Sequence, residues 1–262
     1  MMLFPLEQYL PWLPVLLLMF FRINAMIMVL PILSYPVIPV RVRVLLAFAI
    51  TIFILPMLTP TAETIDSIIV MVGMVIREIF VGLFIGFGVK MIFEAFNMAG
   101  SFVARQMGIG IANVMDPTSR QQIPVISQFW VLVIMAYFLA FDGHHLFITV
   151  LVKTNTLVAP SFAEFKPAVA DLLVKSGSLA FDIGLKLALP AMIFLLLADG
   201  AIALTARVMP QMNIFLVTLP MKIGTGLFVL ITSLDIFQIM FHSIYQQMTD
   251  LLRAMIGAVG AV

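Results

Sequence analysis

The sequence predicts an all-α, multi-pass membrane protein. Three observations carry that fold class. The chain is 63% apolar and 10% charged, with a mean hydropathy of +1.18. A soluble domain is about half apolar and about a quarter charged, so this chain has too little polar surface for water. Its apolar residues fall into runs near the roughly 20 residues that a spanning helix needs. Proline and glycine clusters punctuate those runs.

Six stretches carry the expected spans. They are 10–33, 44–58, 68–89, 125–141, 179–198 and 214–234, the last interrupted by Pro220 and Lys222. Pro31, Pro36 and Pro39 close the first. Pro56 and Pro60 close the second, and Asp142-Gly143 is a turn signal after the fourth. A loop is expected over 155–167. Pro167 suits the first turn of a helix from about Ala168 to Ala198. The first stretch lacks a basic leader and a small-residue cleavage site, and reads as a retained helix.

Charges sit inside several of these runs: Arg22, Arg77, Glu78, Asp182, Lys186 and Lys222. A charge in hydrocarbon is costly and faces protein or water. Arg22 and Lys222 could snorkel to an interface, but Arg77 and Glu78 lie mid-run. The expectation is helical hairpins packed with partner subunits, with Arg22, Arg77, Glu78, Asp182, Lys186, Arg207 and Lys222 as buried charge pairs or partner contacts. Asp182 and Lys186, four apart, share one helix face.

Lys90, Glu94, Asn97, Ser101 and Arg105 form a polar stripe at helical spacing, opposite Ile92, Ala95, Phe96 and Val103. The stripe suits an interfacial helix or one lining a wet interior. Basic residues divide slightly in favour of an N-terminus outside the cytoplasm. No fixed-period repeat and no separate soluble domain stand out, so residues 1–262 read as one module.

The remaining motifs argue against chemistry. There are no cysteines, and hence no disulfides, thiolate zinc sites or iron–sulfur clusters. A net charge of +1 gives no pull toward nucleic acid. Gly108-Ile109-Gly110 lacks the lysine and preceding strand of a phosphate loop. Ser127 and Ser233 have no histidine nearby in sequence. His144 and His145 are adjacent, a spacing that does not put both rings on one helix side, and read as a polar turn. No catalytic residue, cofactor or metal is expected. Gly82 and Gly86 are four apart and suit close helix packing. The 20 methionines and 23 phenylalanines read mainly as packing.

Two stretches resemble a known family. The segment from Gly108 to Lys153 carries a glycine-containing loop, Asp116-Pro117, Pro124 opening an apolar helix, and a Gly-His turn at Gly143. The second has Pro190 ending Leu-Ala-Leu-Pro, then Arg207 to Gln211 as Arg-x-x-Pro-Gln, then Asn213-Ile214-Phe215. Phe21-Arg22 followed by Pro31 agrees. Together they resemble the FliR family over nearly the full length; the second histidine of the turn departs from its pattern.

The resemblance implies a subunit of the flagellar type III protein-export gate, in the bacterial inner membrane at the basal body. Its implied partners are FliP-type and FliQ-type subunits in a helical hetero-oligomer, FlhB-type and FlhA-type proteins, lipid and unfolded export substrates. It implies an N-terminal part similar to a P subunit and a C-terminal part similar to a Q subunit. It also implies a channel plug in the loop comprising Gln106, Met107, Gly108, Ile109, Gly110, Ile111, Val114, Met115, Asp116 and Pro117. Two rivals are a counterpart in a virulence type III secretion system and a secondary transporter using Asp182, Lys186, Asp199, Arg207 and Lys222.

Overall fold

The computed structural model describes residues 12–34, 37–57, 67–109, 125–158, 167–211 and 214–260. Among them there is no β-strand. The helices are α1 (Trp12–Val29), α2 (Val40–Ile54, extended by a 3-10 turn Leu55–Met57), α3 (Ile68–Gln106), α4 (Val125–Ala140), α5 (Gly143–Leu157), α6 (Ala168–Val208) and α7 (Ile214–Gly260). Five helical segments are long and apolar enough to cross a membrane, and the broken pair α4–α5 qualifies as a sixth if taken as one span. The multi-pass helical fold is therefore the observed one.

The boundaries depart from the sequence reading in three places. The third apolar run and the polar stripe after it form one helix of 39 residues, because no proline separates them and the stripe keeps helical spacing across the join. Residues 143–157, read as a turn and the start of a loop, form α5. The last helix passes through Pro220 and extends to Gly260.

The contacts divide the molecule into two compact units, each assembled from several parts of the chain. The first contains 1–91, 139–176 and 248–262; the second contains 92–138 and 177–247.

In the first unit, α1 lies close against the first half of α3. A Cβ added at Gly82 would stand 2.2 Å from the Arg22 carbonyl oxygen, and one at Gly86 would stand 3.2 Å from that of Met26. The Gly82/Gly86 spacing thus does what its pattern suggests: it lets two backbones meet. Val15, Leu18, Met19, Ile23, Met26 and Ile27 fill the buried face of α1. Phe20 sets its ring edge-on to Phe48 of α2 at 6.1 Å.

In the second unit, Phe237 of α7 is fully buried. The rings of Phe96, Trp130 and Tyr137 surround it at 5.5, 5.7 and 4.9 Å between centroids. Edge-on aromatic contacts of this kind add to the burial term. Gly100 brings α3 against the start of α4, where its Cβ would lie 2.3 Å from Ser127 Cα.

Candidate functional site

Two polar nodes stand out inside this apolar molecule. In the first unit, Arg22 is 1% exposed and Glu78 is fully buried. Arg22 Nε donates to Glu78 Oε2. Arg22 Nη1 donates to the carbonyls of Thr154 at 2.7 Å and Val158 at 2.8 Å. Nη2 has no hydrogen-bond partner among the described residues. Arg77 Nη1 takes the other Glu78 oxygen at 3.2 Å.

One guanidinium therefore joins three helices: it sits on α1, pairs with a carboxylate on α3, and caps the last carbonyls of α5. The Thr154 carbonyl also accepts from the Val158 N–H at 3.1 Å, and a cation at a helix C-terminus complements the helix dipole. Thr154 and Asn155 turn their side chains back to the carbonyls of Val150 and Leu151, at 2.6 and 2.8 Å.

The second node lies in the other unit. Lys222 of α7 pairs with Asp199 of α6 at 2.6 Å, the two side chains 19% and 33% exposed. Gln106, the last residue of α3, donates from Nε2 to the second Asp199 oxygen at 3.2 Å. Next to it, Met107 is fully buried. A Cβ at Gly226 would lie 2.6 Å from the Met107 sulfur.

The chain then stops being helical in a defined way. Gly108 has φ 78°. Its N–H bonds the Arg105 carbonyl at 3.1 Å, and the Ile109 N–H bonds the Ala104 carbonyl at 3.3 Å. This paired arrangement is a Schellman cap, and its left-handed position favours glycine.

Asp182 and Lys186 pair with each other at 2.6 Å, and their side chains are about half exposed in the single chain. Arg207 is exposed in the last turn of α6 and has no ion pair among the described residues. A cation there complements the helix C-terminus, so solvation and the dipole replace a carboxylate. Of the residues assigned to the plug, Gln106, Met107, Gly108 and Ile109 are at the α3 end. Gly110, Ile111, Val114, Met115, Asp116 and Pro117 lie outside the described residues.

The sequence reading did not assign Thr154, or place Asp199 in a pair. The signal for Asp199 was present. It and Lys222 lie at nearly equal sequence distance on either side of the Pro210-Gln211 turn, so an antiparallel hairpin sets them opposite each other. No such signal existed for Thr154, which contributes a backbone carbonyl.

The polar stripe on α3 is partly internal. Lys90, Glu94 and Arg105 are exposed, whereas Asn97 and Ser101 are half-buried. The Ser101 and Ser127 hydroxyls are 3.0 Å apart.

The two histidines differ from expectation. Their rings are 4.3 Å apart, and each has a ring nitrogen 3.9 Å from Asp142 Oδ1. A left-handed Asp142, φ 55°, turns the chain so that they meet. All three side chains are at least 46% exposed. They sit at the N-terminal, partly positive end of α5, which opposes a cation. Neither ring has a further hydrogen-bonding partner among the described residues of the kind that orients a metal-ligating imidazole.

Comparison with known proteins decides between the readings. Residues 13–248 match the family described as bacterial export proteins, family 1. The chain belongs to that family. It is 30% identical to the flagellar biosynthetic protein FliR of Escherichia coli (strain K12), with 96% of each chain covered. It is 29% identical to the protein of the same name in Bacillus subtilis (strain 168), covering 94% of this chain and 96% of that one. The FliR of Caulobacter vibrioides is also 29% identical, over 89% of this chain.

These relatives are named for flagellar biosynthesis, and the family for export; none carries the name of an enzyme. Family membership and the membrane-length helices make the chain a multi-pass inner-membrane protein of the flagellar export apparatus. The rival transporter path is also poorly served by the geometry. Asp182–Lys186 and Asp199–Lys222 are separate pairs, about 20 Å apart along α6 by helical rise.

Proposed function

We propose that this chain is the R-type subunit of a flagellar type III export gate and forms part of the wall of a channel for unfolded protein. It holds no cofactor and performs no chemistry. It works by shape, by assembly with P-type and Q-type subunits, and by contact with FlhB-type and FlhA-type proteins. Its N-terminal part takes a P-like place and its C-terminal part a Q-like place.

The observation that carries this reading is a family match spanning residues 13–248. The buried Arg22–Glu78 node supports it physically. A channel wall inside a membrane must bury polar groups in protein, since lipid satisfies none of them.

The loop that leaves α3 after Gln106 is the proposed plug. Its start is described and ends in a glycine cap at Gly108. The stretch interleaves apolar residues with helix breakers, so an irregular backbone there needs water or protein around it. In the resting gate it blocks the lumen, and a substrate moves it aside.

Deleting residues 109–114 tests the proposal. The deletion variant is expected to co-purify with P-type and Q-type partners while leaking ions or small molecules across the inner membrane. An assembled deletion variant as tight as the parent removes the plug. A chain that complements a flagellar R-subunit deletion neither in motility nor in gate assembly removes the gate assignment itself.

A further inference from the structure

Asp199 is the one carboxylate among the described residues that links α3, α6 and α7. Oδ1 pairs with Lys222 Nζ at 2.6 Å, and Oδ2 accepts from Gln106 Nε2 at 3.2 Å. Both of its oxygens are engaged, each by a different helix.

The neighbours act at the same place. Lys222 and Gly226 are four apart on α7 and so face the same way. Lys222 holds the carboxylate, and Gly226 leaves room for Met107, the residue after Gln106. The Schellman cap at Gly108 ends the helix one residue later. The last turn of α3 is thus held at a defined place on the α6–α7 hairpin.

An ion pair is an unusual choice for plain stability. A well-packed apolar pair of similar volume is often as good or better in a desolvated place. What a partly buried charge pair supplies is register: the contact is favourable in one alignment and costly when one partner is lost. It is also polar enough to break and reform without unpacking the core.

We propose that Asp199, Lys222 and Gln106 form a latch that positions the C-terminal turn of α3 on the α6–α7 hairpin, and so holds the root of the channel-blocking loop. The latch deepens the plug reading above and rests on it for its role in closure. Asp199 is the centre, because losing it releases both other groups. Gln106 is the coupling residue, because among the described residues it is the one on α3 that bonds the α6–α7 ion pair. Breaking the latch frees the α3 end.

The protein has no cysteine, so Ile109→Cys gives a single attachment point for a nitroxide label at the end of α3. The label is read by electron paramagnetic resonance in the co-purified complex with P-type and Q-type subunits. Asp199→Asn and Gln106→Leu are each expected to raise the ratio of mobile to immobile label about tenfold, equivalent to about 1.4 kcal/mol. The charge exchange Asp199→Lys with Lys222→Asp is expected to return most of the immobile signal relative to Asp199→Lys alone.

Should Asp199→Asn prevent assembly, Gln106→Leu decides, since it leaves the ion pair in place. A label as immobile in Gln106→Leu as in the parent overturns the latch. Membrane leakage is measured on the same variants without label. A released label without leakage leaves the latch standing as an anchor of α3 and removes the plug instead.

Discussion

Arg22 and Glu78, fifty-six positions apart, form an ion pair in which neither side chain is more than 1% exposed. Glu78 also serves Arg77, which is 8% exposed. Removing the carboxylate takes from the buried Arg22 its ion-pair partner and from Arg77 the contact to Glu78. Breaking a buried pair by deleting one member costs about 3–5 kcal/mol. Glu78→Ala is therefore expected to lower the yield of assembled complex far more than Arg77→Ala, measured by size exclusion after co-expression. Arg22→Ala should also be severe, because it leaves Glu78 without its Arg22 partner and removes the donor to the Thr154 and Val158 carbonyls. Equal yields for Glu78→Ala and Arg77→Ala would show that the carboxylate is not the shared centre.

Gly82 sets the distance at which Arg22 stands from α3. A methyl group there would meet the Arg22 carbonyl at 2.2 Å, and backbone cannot swing aside as a side chain does. Gly82→Ala must push α1 away and stretch the Arg22–Glu78 contact. Gly200 has nothing within 4 Å of its added Cβ, so Gly200→Ala should instead favour its helix by about 1 kcal/mol. Thermal unfolding of the purified complex should thus show a lower midpoint for Gly82→Ala and an unchanged or higher one for Gly200→Ala. A midpoint for Gly82→Ala at the parent value would rule out this close approach.

The apolar runs revealed the helices because composition alone decides whether a segment can live in lipid. Their ends were harder to read. Nothing near Lys90 breaks α3, but a charged residue after an apolar run looks like a boundary when only hydropathy is considered. The α5 segment, with His144, Thr149, Thr154 and Asn155, carries little helical signal of its own. It is completed from outside, by an arginine more than a hundred residues earlier, which no local pattern encodes. Within the sites, Arg22, Glu78 and Lys222 were visible because a charge in an apolar run demands a partner. Which partner each takes depends on packing. Arg207 shows the opposite case: its position in the last turn of α6 already suits a cation, so no carboxylate is required.

Phe237 offers a direct test of the second unit. It is fully buried, and its ring meets Phe96, Trp130 and Tyr137. Truncating a buried phenylalanine typically costs about 3–5 kcal/mol in cavity and contact loss. Phe237→Ala should leave Trp130 less constrained, seen as a red-shifted and more quenchable emission, with Trp12→Phe as background. Phe237→Leu should recover most of the parent signal. Unchanged emission in Phe237→Ala would exclude this aromatic cluster.

Asp182 and Lys186 carry the last prediction. They pair across one turn of α6 at 2.6 Å while about half of each side chain is exposed in the single chain. In water such a pair is worth only a few tenths of a kcal/mol, and its loss would pass unnoticed. The surroundings here are not water, because Phe181, Leu189 and Ile193 are exposed on the same stretch of helix. That apolar surface is covered in the membrane by lipid or by a partner subunit. Once covered, a lone aspartate or lysine becomes an uncompensated charge, whereas the pair is close to neutral. Lys186→Ala should therefore impair assembly with P-type and Q-type subunits more than the double change Asp182→Asn with Lys186→Ala, which removes both charges. Co-purification yield of the partners on a tagged chain measures it. If the single and double variants assemble as well as the parent, the pair faces water in the complex. If the double variant is the worse of the two, the pair contributes a specific contact and not mutual neutralisation.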